Sequence, residues 1–486
     1  MTLKPRNLVL MLGLFPFLAF AQTPNLSKEV REFVSVEAPV VALRHARVID
    51  GTGAPSKEDQ TLVISRGRIQ GIGPATSTPV PDGAKEIDLT GATVLPGLVG
   101  MHDHLFYPAP SSPARPAGGS LALYHEMGFS FPRLYLACGV TTIRTTGSIE
   151  PQTDLELAKL VDAGKIAGPK IHVTSPYLEG VGSFTPVMHE LTGPEDAHRA
   201  VDYWAEQGAT SYKAYMHITR AELAAAVKAA HARKLKVTGH LCSVGFREAA
   251  AIGIDDLEHG LVVDTEFVPD KKPDECPSNK ARQDSLVALD LSGAPAREMI
   301  RDLVARGVAV TSTLPVFETS VPNRPPLSPR VLDALAPESR SDYLAGRARA
   351  AERADNPGAA LLKKEMDFER AFVAAGGLLL AGEDPTGYGG VLAGFGDQRE
   401  VELLVEAGFS PIEAIHIATE NGAKFLGVAD KIGTLAPGKH ADLIVIRGDP
   451  SKTISDIEKV EIVFKDGIGY DSAKLIESVR GTIGLR

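Results

Sequence analysis

The chain has 486 residues, 44% of them hydrophobic, and a formal net charge of -10. That is a globular composition, long enough for a large core and more than one domain. The acidic balance, with no long Lys/Arg stripe, excludes a phosphate-neutralising face; small molecules are the expected ligands and nucleic acid is not an expected partner.

In chain order, Lys4 and Arg6 precede an apolar stretch that closes on Ala19-Phe20-Ala21, the small-x-small pattern of a cleavable export signal over residues 1–21. An uncleaved anchor fits less well, because the apolar run is shorter than the ~20 residues a span needs. The mature protein is therefore expected to be periplasmic or secreted, with no membrane partner after signal removal. Residues 22–92 follow as alternating strands and turns, among them "TLVISRGRIQGIG" and "KEIDLTGATVL", and residues 429–486 have the same texture. The two ends are expected to form one smaller β-sandwich domain around the middle.

From residue 93 to 428, short β-branched runs alternate with Ala-, Leu- and Glu-rich helical stretches, the pattern of βα units on a parallel sheet. Strands are predicted in "VLPGLVGMHDH", "VTTIRTTG", "KIHVTSPY", "TSYKAYM", "KVTGHLC", "DDLEHGL", "AVTSTLPVF" and "LLLAGEDP". Eight such units predict an α/β fold of the (β/α)8 TIM-barrel type. Helix start signals are Thr219 and the Gly-Pro-Glu before Asp196. Two insertions, about 262–293 and 318–360, fall after strands six and seven, on the face where a barrel does its chemistry, and are read as walls or a lid. Of three cysteines, at most one pair can form; Cys138 sits in an apolar stretch, so Cys242 and Cys276 are the better candidates for a bond that an oxidising compartment would permit but whose Cα separation the sequence does not give.

"LPGLVGMHDHLF" places His102 and His104 two residues apart at a strand end. Residues two apart on a strand point the same way, so both imidazoles reach one rim while Asp103 turns elsewhere. Alone, His-x-His is a weak signal, better explained by partly buried histidines satisfied by backbone bonds. Later strand ends add Lys213, His240, His259 and Asp384, a set suited to divalent metal. Lysine is the odd member, since an ammonium repels a cation. Burial depresses its pKa and leaves a nucleophilic amine, which carbon dioxide can convert to a carbamate able to bridge two metals. Two divalent ions with that carbamate, Asp384 and a hydroxide leave a net charge of about +1.

These residues, with the closing "LAPGKHADLIVI", resemble the amidohydrolase superfamily, in the branch of imidazolonepropionase-like hydrolases and metal-dependent Xaa-Pro dipeptidases. The resemblance covers nearly the whole mature chain. It implies that His102 and His104 hold the more buried metal with Asp384, that His240 and His259 hold the outer one, and that a carboxylated Lys213 bridges them. It also implies that self-association into a homo-oligomer is common. One departure is Glu383, where the family commonly has a small polar residue. Adjacent strand residues face opposite ways, so Asp384 is kept as ligand and Glu383 as a supporting or helix-facing group.

The chemistry expected of such a site is hydrolysis of a C-N amide bond in a dipeptide, an N-acyl amino acid or a cyclic amide, by a metal-bridging hydroxide. Asp384 would carry the proton to the leaving nitrogen. Tyr215 shares the strand face of Lys213 and could steady an oxyanion; His217 and Arg220 follow as candidate contacts to a substrate carboxylate. Zinc suits the donors, although manganese or cobalt could occupy them. A lactonase or other ester hydrolase, and a non-catalytic exported metal or small-molecule binding protein, are the alternatives; Asp384 speaks against the second, because a binder needs no proton carrier. "GYGGVLAGFG" lacks the Lys-Ser/Thr of a phosphate loop and is read as a rim beside the site. His125, His189 and His440 are assigned no chemistry.

Overall fold

The computed structural model describes residues 25–109, 123–183, 188–353, 355–385 and 390–484; the export signal read over residues 1–21 lies outside them. The front of the chain supplies strands β1 (Val34–Val36), β2 (Val40–Val48), β3 (Lys57–Ser65), β4 (Arg68–Pro74), β5 (Lys85–Asp88) and β6 (Ala92–Pro96). The middle supplies β7 (Leu98–Asp103), the hairpin β8 (Phe106–Ala109) and β9 (Leu123–Glu126), then β10 (Val140–Thr145), β11 (Lys170–His172), β12 (Thr174–Leu178), β13 (Ser211–Ala214), β14 (Lys236–Gly239), β15 (Asp256–Glu258), β16 (Ala309–Ser312) and β17 (Leu379–Ala381). The end returns with β18 (Leu443–Arg447), β19 (Val460–Lys465) and β20 (Ile468–Asp471).

The fold is α/β with mixed sheets. Both chain ends join in a single nine-stranded sheet, in the order β1-β20-β19-β18-β6-β2-β3-β4 with β5 on β2. The middle strands form parallel sheets of three, β11-β10-β7, and of six, β12-β13-β14-β15-β16-β17. Only Val173 separates β11 from β12, so one stretch of chain continues both sheets. At the other side, the N–H groups of Glu383 and Asp384, just past β17, donate to the carbonyl of His102 on β7 at 3.2 and 2.9 Å. Gly382 makes that approach possible: a Cβ there would lie 2.4 Å from the Cβ of His102.

Strand β6 belongs to the terminal sheet, paired with β18 from Pro96↔Leu443 to Ala92↔Arg447. The chain therefore changes sheets at Gly97, a few residues beyond the boundary at 92 expected from sequence. Strand β18, "LIVIR", is a continuous apolar run because both of its faces are covered. Leu443 and Val445 pack in the core of the terminal sheet. Ile444 and Ile446 pack in the core of the parallel strands. Strand β6 divides likewise, Val94 to one core and Leu95 to the other.

Helices start where sequence signals place them. Thr219 and Glu222 form a reciprocal capping box on the helix Arg220–Ala232, and Pro194 opens the helix Pro194–Gln207. Cys242 and Cys276 are joined in a disulfide with 4.9 Å between their Cα atoms, whereas Cys138 is buried and free. The bond ties the first insertion to the turn just after β14. It closes a loop of 34 residues in sequence separation, which constrains the unfolded chain by roughly 2–4 kcal/mol. Cys276→Ser is expected to lower urea-unfolding stability by that amount and to make the protein insensitive to reductant. Equal stability of the variant and the oxidised parent would contradict this.

Candidate metal centre

The carboxyl ends of the parallel strands bring the predicted residues to one place. The Nε2 atoms of His102 and His104 lie 3.9 and 3.4 Å from Oδ1 of Asp384, and Nδ1 of His259 lies 3.9 Å from its Oδ2. Donor atoms of His102, His259 and Asp384 all fall within 4.8 Å of one another. His240 joins through its ring, 4.5 Å from that of His259, which is itself 4.3 Å from that of His102. Lys213 is buried on β13, close enough for its charge to act on His102, His240 and His259.

Two of these residues sit in left-handed backbone, His259 at φ 69° and Asp384 at φ 54°. Non-glycine residues rarely hold that conformation, which costs on the order of 1–3 kcal/mol and clusters at functional sites. The Asp384 N–H bond to the His102 carbonyl fixes one of them. The Asp384 side chain is more open than the histidines it faces, 19% exposed against 1% for His102, 4% for His104 and 5% for His259.

Supporting groups aim the imidazoles. His102 Nδ1 is 2.7 Å from Glu258 Oε2, and His104 Nδ1 is 3.1 Å from the Gly147 carbonyl. Both partners only accept, so each Nδ1 carries the hydrogen and each Nε2 presents its lone pair. His259 Nδ1 is 2.9 Å from Thr313 Oγ1. Burial, and then the Lys213 charge, hold His102 and His240 well below the usual imidazole range; burial and the neighbouring His102 do so for His259. Burial also lowers the Lys213 ammonium to about 8, against the opposing pull of Glu258 and Asp384. Neutral imidazoles with fixed distal hydrogens, an accessible carboxylate and a depressed lysine are a donor set that fits divalent metal.

The depressed histidines set a pH dependence. Below about pH 6.5 the unfolded chain takes up protons that the folded chain refuses, so stability falls as pH falls. Metal-free protein is expected to lose about 1.4 kcal/mol per pH unit for each of His102, His240 and His259 below that point. Urea unfolding at successive pH values checks it; a flat profile through that window would mean the rings are not held neutral.

Sequence reasoning missed the layer beneath. Arg144, 1% exposed, leaves β10 and donates from Nε to the Met101 carbonyl at 2.9 Å, and from Nη2 to Asp256 Oδ2 at 3.2 Å and Glu258 Oε1 at 2.9 Å. It thereby connects the three-stranded sheet to the six-stranded one. Burial drives the Glu258 carboxyl up, yet Arg144, Lys213 and Thr238 together leave it below the ordinary range. Burial and the Glu258 charge push Asp256 up to about 7. The available signal was the presence of "R" and "DLE" inside otherwise apolar strands.

The candidate substrate residues divide. The Tyr215 ring lies 4.6 Å from that of Tyr177 and 5.1 Å from that of His240, so it borders the centre. His217 is held by buried Glu179, which accepts from its backbone N–H at 2.7 Å and faces its Nδ1 at 3.4 Å. Arg220 is drawn away: its Nε and Nη2 each donate to Asp274 of the first insertion at 3.0 Å. Phe317, on the helix Leu314–Glu318 just ahead of the second insertion, lies 6.1 Å from the His259 ring. His189 pairs with Asp196 and His440 with Asp466, and His125 lies on β9. The first residues of "GYGGVLAGFG" lie outside the described residues; its end opens the helix Phe395–Ala407.

Residues 362–468 match the sequence model of the Amidohydrolase family. A solved Bifidobacterium longum structure described as a candidate prolidase is 25% identical, with 90% of this chain and 98% of that one covered and a TM-score of 0.62. A Xaa-Pro dipeptidase solved with methionine in its active site is 22% identical over 89% of this chain and 100% of that one, TM-score 0.65. Among curated proteins, adenine deaminase 1 of Latilactobacillus sakei subsp. sakei (strain 23K) is 37% identical over 62 residues, 13% of this chain. The chain spans only 8% to 11% of the length of the curated relatives it matches. The likeness to the amidohydrolase superfamily is thereby shown.

Proposed function

We propose that this chain is an exported hydrolase that cleaves a C–N amide bond in a small substrate such as a dipeptide, an N-acyl amino acid or a cyclic amide. Its middle strands would close as a (β/α)8 barrel beside a terminal β-sandwich. Two divalent ions, with zinc the best match to the donors, would be held by His102, His104, His240, His259, Asp384 and a carboxylated Lys213. The observation that carries this reading is the convergence of His102, His104 and His259 on Asp384, with Lys213 buried beside them. The disulfide supports export, since such bonds persist in oxidising compartments.

Bound ions would supply an acidified water and a positive charge against the substrate carbonyl. The protein supplies the rest. Glu258 and Gly147 hold the distal nitrogens of His102 and His104, so the near nitrogens need no reorganisation. Asp384, more open than His102, His104 and His259, takes the proton released from water and delivers it to the leaving nitrogen, which departs poorly unless protonated. Burial, then the charges of Asp384 and Glu179, raise the Tyr215 hydroxyl, which keeps its hydrogen and can donate to a developing oxyanion. Lys213, lowered to about 8, has neutral amine available to take up carbon dioxide near physiological pH.

The deciding experiment is a hydrolysis screen on zinc-loaded protein with N-acyl amino acids, Xaa-Pro and Xaa-basic dipeptides, cyclic amides and lactones. Amide turnover that disappears on chelation and returns with metal is the expected result. Turnover confined to lactones, or unaffected by chelation, would overturn the proposal.

A further inference from the structure

Directly behind the candidate metal centre lies a second group of donors. Asp103 stands between His102 and His104, and Glu383 precedes Asp384, but both side chains face away from that centre. They meet Asp397 in the first turn of the helix Phe395–Ala407. Asp103 and Glu383 are 0% exposed and Asp397 is 6% exposed. One carboxylate oxygen from each lies within 4.8 Å of those of the other two.

We propose that Asp103, Glu383 and Asp397 form a binding site for one calcium-like divalent cation, distinct from the histidine-lined centre. Asp103 is what separates this from a chance gathering of acids. Both of its carboxylate oxygens are buried without a hydrogen-bond partner among the described residues. Leaving a buried polar group in that state is costly. Glu383 Oε1 and Asp397 Oδ2 are likewise buried without a partner among the described residues. The Arg144 charge reaches Asp103, but its Nε and Nη2 donate to Met101, Asp256 and Glu258, and neither Asp103 oxygen accepts a hydrogen bond from it.

The donor chemistry selects the ion. All three ligands are hard oxygens with no imidazole or thiolate, which favours calcium or magnesium over zinc. Calcium takes oxygens at about 2.3–2.6 Å in adaptable geometry, so two ligands across a shared ion stand up to about 5 Å apart, which accommodates oxygens that all lie within 4.8 Å of one another. Magnesium keeps several waters, for which a fully buried site has little use. Glu383 Oε2 already accepts from the Asp397 N–H at 3.0 Å, leaving its other oxygen for the ion. A cation there would pin the segments carrying His102, His104 and Asp384 to the first turn of one helix.

The test uses full-length zinc-loaded protein. Elemental analysis after dialysis against calcium is expected to find one calcium per chain in addition to zinc, and terbium is expected to displace it. Asp397→Asn and Glu383→Gln should each reduce bound calcium from one per chain to none while zinc content is retained. Crystals soaked in terbium should show an anomalous peak between the three carboxylates, which decides the matter even where a variant does not fold. Zinc-loaded wild-type protein that takes up no calcium, calcium retained by both folded variants, or a terbium peak elsewhere would each overturn the proposal.

Discussion

Asp384→Asn is expected to lower kcat by about 10²–10⁴-fold, the usual contribution of a positioned acid-base group, with little change in thermal stability. Asparagine keeps the shape and a carbonyl oxygen, and it tolerates left-handed backbone better than other residues. The φ of 54° and the N–H bond to His102 can therefore persist. What is lost is a carboxylate that can take a proton from water and pass it to the leaving nitrogen. The comparison must be made at equal metal occupancy, because the amide is the weaker ligand. Undiminished hydrolysis by the substituted protein would remove Asp384 as proton carrier.

Glu258→Ala is expected to cost about 3–5 kcal/mol of folding stability, the penalty for removing one partner of a buried ion pair. It should also weaken metal binding by about 10–100-fold, as loss of a histidine-orienting carboxylate does. Both effects follow from one side chain facing two ways, Oε1 to Arg144 and Oε2 to His102. Asp256 limits the damage. Its carboxyl is pushed toward about 7 partly by the Glu258 charge, so without that charge it ionises more readily beside Arg144. Urea titration and competition with a chelator of known affinity read the two consequences separately. Parental stability together with parental metal affinity would show that Glu258 orients nothing.

Much of this site was legible because strand periodicity does not depend on tertiary partners. His102 and His104 had to share a face, and His240, His259 and Asp384 had to follow apolar runs short enough to be buried strands. Glu383 facing a helix followed from the same alternation. The change of sheet at Gly97 was hidden, because "VLPGLVG" is buried on both sides throughout and shows no switch in pattern. Arg144 and Glu258 were hidden for another reason: 114 residues separate them, and either alone reads as an ordinary strand charge. Arg220 seemed available to a substrate because its captor Asp274 is 54 residues away, in an insertion whose path the sequence does not specify.

The shared strand β18 has a consequence for dissecting this protein. A fragment trimmed to the catalytic middle would keep the histidines and lose Ile444 and Ile446, baring the floor they cover. The terminal sheet alone would turn the same two side chains outward to water. Neither half can be excised cleanly, so a shortened version would have to retain this five-residue ribbon or replace its inward isoleucines with a substitute lid.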